Sequence, residues 1–92
     1  MIDASFFQRR LEAAWRRREG RWDPKERNAV RWVHGEGDGL PGLVVDRYAD
    51  VVSIQVQTAG MDRWKDAIAD AIAALAPGCA VYERSDTGMR VL

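Results

Sequence analysis

The chain has little of what several classes of protein require. A single cysteine, Cys79, permits no internal disulfide, so a disulfide-stapled scaffold is excluded and a reducing compartment is expected. A single histidine, His34, excludes a histidine-based metal cluster. No apolar run approaches the roughly 18 residues of a membrane-spanning helix. The opening MIDASFFQRR places acid and arginine where a signal peptide needs a basic tip and a long apolar core. Net charge is also missing: 14 Lys+Arg balance 14 Asp+Glu, which excludes a polybasic coat protein and an acidic tail. With 92 residues the chain suits one small domain and is too short for a doubly wound nucleotide-binding fold. The class expected is a soluble domain of the cytoplasm.

What is present is unevenly placed. Residues 1–34 carry nine Lys/Arg and five Asp/Glu, a balance of +4, and residues 35–92 carry the opposite balance of −4. Phe7, Leu11, Ala14, Trp15 and Arg18 share one helical face, and Gly20 is the expected stop. Ser5 with Gln8 fits a capping box, and Asp3 is a rival cap. Residues 29–34, 43–48 and 51–57 read as strands, joined by the glycine-rich GEGDGLPG and by a tight Ala49-Asp50 connection. In the third strand Val52, Ile54 and Val56 alternate with Ser53, Gln55 and Gln57, which implies a sheet with one covered and one wetter face. Residues 60–76 carry an apolar stripe from Trp64 to Leu75 that would cover the sheet, and Pro77-Gly78 ends it. Residues 80–84 are a return strand, and 89–92 begin another. The fold class expected is α+β: a small antiparallel or mixed sheet of four to five strands with one covering helix, preceded by an N-terminal helix.

Few residues offer chemistry. GEGDG lacks the GxGxxG spacing and the Walker lysine, and a strand follows it instead of a helix, so it reads as a hairpin rather than a phosphate cradle. Glu36, Asp38 and Asp46 lack the calcium-loop pattern. His34 reads as the end of a strand and Cys79 as an inert thiol. No catalytic, cofactor-binding or metal site is assigned. The basic segment is more informative: Arg9, Arg10, Arg16, Arg17, Arg18, Arg21, Lys25, Arg27 and Arg31 are interleaved with Trp15, Trp22 and Trp32. Arginines neutralise phosphates and tryptophans stack on unpaired bases, although core tryptophans beneath a solvated helix face give the same pattern.

Four blocks in order, SFFQRRLEAAWRRRE, VRWVHGEGDGLPGLVVDRY, QTAGMDRWKDAI and VYERSDTGMR, carry a family likeness. The chain resembles the central part of the bacterial S-adenosylmethionine-dependent methyltransferases that modify cytosine C5 in large-subunit ribosomal RNA. The resemblance implies a PUA RNA-binding domain ahead of this segment and a Rossmann-like methyltransferase domain after Leu92. Residues 1–20 would be a linker helix from the preceding domain and 21–92 the central α+β domain. S-adenosylmethionine is then the cofactor of the longer protein, with none expected in this segment, which has neither a glycine-rich cofactor motif nor a cysteine catalytic motif. Ala49 stands where the family pattern leads us to expect glycine. The implied role is to position the RNA-binding and catalytic domains, with Arg16, Arg17, Arg18, Trp22, Lys25, Arg27 and Arg31 as candidate RNA contacts. The alternative is an interaction module or homodimer that uses its open sheet face and the Phe6/Trp15 side of the first helix.

Overall fold

A computed structural model describes residues 3–21, 29–85 and 88–92, with side chains throughout except at Ser85, Met89 and Arg90. The order is α1 (Ala4–Arg18), β1 (Ala29–His34), β2 (Leu43–Tyr48), β3 (Val51–Val56), α2 (Ala59–Asp62), α3 (Lys65–Leu75), β4 (Ala80–Ser85) and β5 (Gly88–Val91). Strands β1 to β5 lie in sequence order in one sheet. All neighbours are antiparallel except β3 and β4, which run parallel because α2 and α3 form the crossover between them. The α+β class with a mixed sheet is therefore the observed one.

Helix α1 is capped by Asp3, not Ser5. The Asp3 carboxylate accepts the Phe6 amide at 2.9 Å, and Ser5, already inside the first turn, donates its hydroxyl to the same carboxylate at 2.9 Å. A carboxylate also complements the helix dipole, which a hydroxyl does not. At the other end the chain tightens after Arg18 into a 3-10 turn, Glu19–Arg21, that includes Gly20. The stripe expected as one helix over 60–76 is two. Thr58 caps α2 by accepting the Met61 amide, and the chain breaks at Trp64, whose φ of −100° and ψ of 7° start α3 anew. The break sets the Trp64 ring 5.3 Å from that of Phe7 in α1.

The core lies between one sheet face and two helices. Leu43, Val45, Val52 and Ile54 from the sheet meet Phe7, Leu11 and Ala14 of α1 and Ile68, Ala71 and Ile72 of α3. Helix α1 thus shares the cover with α3, which lies beside it. A register irregularity between Arg31 and Val33 in β1 has a clear purpose. The bulge turns both Trp32 and Val33 into the core, where strict alternation would bury only one of them. The buried Trp32 indole donates to the Leu11 carbonyl at 2.8 Å, fastening β1 to α1. Val52 and Ile54 are fully buried while Ser53 and Gln55 are half-exposed, so the sheet has the covered and wetter faces that the alternation implied.

Candidate nucleic-acid interface

The basic segment is divided by the fold. Arg16, Arg17 and Arg18 close α1 on the covered side of the sheet. Arg31 pairs in register with Asp46, which itself faces Ser53, so it emerges on the wetter side. Trp22, Lys25 and Arg27 lie outside the described residues. The seven candidates therefore do not form one patch among the described residues.

Each described candidate faces a carboxylate. Arg16 reaches Glu12 one helical turn back at 2.6 Å and stays largely exposed. Arg31 meets Asp46 at 2.9 Å, and that hydrogen bond raises its already high pKa. Arg17 and Arg18 both converge on Asp38. Asp38 sits in the glycine-rich loop, at the end of the 3-10 turn Gly35–Asp38, yet its side chain is only 1% exposed. Arg18 donates both terminal nitrogens to its two oxygens at 2.9 Å, and the His34 amide donates to Oδ2 at 2.6 Å. Burial alone would raise the pKa of Asp38. The bonds from Arg18, the His34 amide and Arg17 outweigh it and hold the carboxyl at about 2. The glycine loop is thus a hairpin whose acid binds two arginines of α1; it does not cradle an anion.

The tryptophans are divided too. Trp32 is fully buried and offers no face to a base. Trp15 lies 5.1 Å from it, and Arg47, on the covered side of β2, stacks over Trp15 at 4.9 Å. This is an internal stack, so the Trp15 side of α1 is used within the chain. Glu83 of β4 likewise pairs internally, binding Lys65 of α3 at 3.1 Å. Cys79 is half-buried against the core. Among the described residues, no group of three His, Cys, Asp or Glu side chains is placed to hold a metal ion. No helix among them is long and apolar enough to cross a membrane.

Two further features bear on ligand contact, the first implied by strand alternation and the second not visible in the sequence. One is the open sheet face, where Tyr48 is half-exposed next to Arg31 and Asp46 in a shallow depression. The other is an apolar groove beside the N-terminal half of α1, lined by Phe6, Leu40, Pro41, Met61, Arg63 and Trp64. These residues come from three separate segments, so only alternation in a strand or periodicity in a helix, neither of which spans segments, was visible beforehand.

No protein-family model matches the chain. It is 46% identical to the ribosomal RNA large subunit methyltransferase I of Alteromonas mediterranea and 43% identical to that of Shewanella denitrificans. Each likeness runs over 89 residues, 97% of this chain but 22% of the relative, so the chain spans about a fifth of the curated relatives it matches. In fold it is similar to a candidate SAM-dependent methyltransferase from Streptococcus mutans, with a TM-score of 0.87 and 20% identity over all of this chain and 25% of that one. A candidate methyltransferase crystallised with SAH gives the same values. The chain therefore matches a part of ribosomal RNA large subunit methyltransferases, and its fold recurs within larger methyltransferase structures.

Proposed function

We propose that this chain acts as the non-catalytic central domain of an S-adenosylmethionine-dependent methyltransferase that modifies cytosine C5 in large-subunit ribosomal RNA. The observation that supports the reading is the 46% identity sustained across 97% of the chain to one segment of a ribosomal RNA large subunit methyltransferase I. The role fits the geometry. Helix α1 is joined to the sheet by a shared core, by the Trp32 to Leu11 hydrogen bond and by the Asp38 clamp. A body of this kind transmits orientation rigidly: a PUA domain attached ahead of α1 and a catalytic domain attached beyond β5 would be held in one relative pose. RNA contact falls to the exposed cations Arg16, Arg17 and Arg31, together with Trp22, Lys25 and Arg27. Arg18, four-fifths buried on Asp38, serves the fold instead.

Two titrations test this. Calorimetry with S-adenosylmethionine should show no stoichiometric site on the 92-residue chain, and a site would overturn the non-catalytic reading. Single-stranded ribosomal RNA fragments should bind with an affinity that falls with salt, with a slope set by a few phosphate contacts. A stable dimer in sedimentation, with no RNA signal or one indifferent to salt, would instead favour the interaction-module alternative.

A further inference from the structure

The groove beside α1 has a composition unlike the rest of the surface. It encloses about 400 Å³ between the first turns of α1, the Gly39–Pro41 turn and the Thr58–Trp64 segment. Its walls are aromatic. Phe6 packs edge-on against Phe7 at 5.3 Å, and Phe7 lies 5.3 Å from Trp64. Its rim is cationic. Arg63 lines it directly, and Arg10 lies over the Phe6 ring at 5.2 Å. Gly39, at φ +73°, leaves space for that guanidinium, since a Cβ there would come within 2.9 Å of it. Among the described residues no carboxylate lines the groove. Arg10 and Arg63 also lack a carboxylate partner among the described residues, whereas Arg16, Arg17, Arg18 and Arg31 each have one.

An apolar trough with aromatic walls and two uncompensated guanidinium groups suits a planar, apolar body that carries an anion. We propose that this groove receives one unpaired nucleotide of single-stranded RNA, its base against Phe6 and Trp64 and its phosphate on Arg10 and Arg63. Aromatic faces stack on any base, and the arginine fork matches phosphate oxygens. A peptide is the poorer fit. The strands nearest the groove, β2 and β3, are interior, so no free strand edge is available to pair with an extended chain. A volume of 400 Å³ also takes one ring system and not the successive anchors of a helix. The inference rests on the RNA-contact reading above but places the base contact in this groove, on residues outside the seven candidates named there.

The test uses the whole 92-residue chain and a labelled unstructured octaribonucleotide, followed by fluorescence anisotropy at several salt concentrations. Arg63→Ala should weaken binding about tenfold and reduce the salt slope by about one. Phe6→Ala should weaken it roughly five- to a hundredfold with the slope unchanged, and Phe6→Tyr, which keeps the ring, should restore it. Thermal melts by circular dichroism establish that each variant is folded. If the variants bind RNA as the original chain does, the groove assignment falls and RNA contact elsewhere stands. If the original chain binds no RNA, both fall. If an acidic aromatic peptide binds the groove and excess oligonucleotide does not displace it, the groove belongs to a protein partner and the proposal is overturned.

Discussion

Asp38 shows how far one side chain can depart from the reading its neighbours invite. An aspartate among four glycines looks like surface turn chemistry, yet it is buried under two arginines and a backbone amide. Removing it would leave Arg18 largely buried without its counter-ion, so Asp38→Ala should cost about 3 kcal/mol in urea unfolding. The pH dependence has a definite sign. A carboxyl held at about 2 in the folded chain, below its ordinary 3.8, contributes stability at every pH above about 4. That contribution, on the order of 2 kcal/mol, is lost as pH falls from about 4 to about 2. The stability gap between the original chain and Asp38→Asn should close across that window, and acid titrations of the two should show it. Ala49 is the second residue of this kind. It has φ +53°, the only positive value at a non-glycine among the described residues, in the two-residue turn between β2 and β3. The expectation of glycine there has a physical basis, because a Cβ is strained in this region. Ala49→Gly should raise the unfolding free energy by about 1 kcal/mol, readable as a higher urea midpoint at unchanged slope.

Among the elements, α1 is where sequence and structure differ most usefully. As a sequence it reads as an amphipathic helix with a basic end, equally able to link two domains or to pack on one. The structure gives it Phe7, Leu11 and Ala14 in the same core as the sheet. If α1 is integral to this unit, Leu11→Ala should destabilise the whole by roughly 2–5 kcal/mol, with circular dichroism and tryptophan fluorescence melting together. Loss of helical signal ahead of the fluorescence change would identify α1 as a separable linker. The connection between β2 and α2 is another tertiary matter. Gly42, at φ +85°, faces Thr58, and a Cβ there would meet its Oγ1 at 2.6 Å. Because that hydroxyl caps α2, Gly42→Ala should combine backbone strain with a lost cap and lower stability by about 2 kcal/mol, measured by thermal melting. Nothing in the spacing of Gly42 and Thr58 along the chain announces the contact.

For the molecule as a whole, zero net charge conceals a divided surface, and the fold redistributes it further. Three of the nine front-loaded cations are paired with acids from the other half: Asp38 takes Arg17 and Arg18, and Asp46 takes Arg31. The +4 and −4 halves therefore neutralise one another in part, and among the described residues the basic segment does not form one basic face. RNA affinity, where it is measured, should accordingly show a modest salt slope of a few contacts instead of the steep one expected if all six cationic candidates touched phosphate. Substituting Arg16 alone should change that slope by about one at most, which anisotropy titrations resolve.

The strands, the helix faces, the wetter side of the sheet and the family likeness were all legible in the sequence, because each depends on local periodicity or contiguous motifs. Alternation in residues 51–56 and the 3–4 spacing in α1 and α3 reflect backbone geometry that any core would use. Only the tertiary structure decided which charges are spent internally, that Trp32 and Val33 both turn inward at a bulge, and that Phe6, Pro41, Met61 and Trp64 meet in one groove. Those outcomes depend on contacts between residues tens of positions apart. In such contacts the desolvation of a carboxylate or the meeting of aromatic rings is set by the packing of whole elements, and no local pattern encodes that packing.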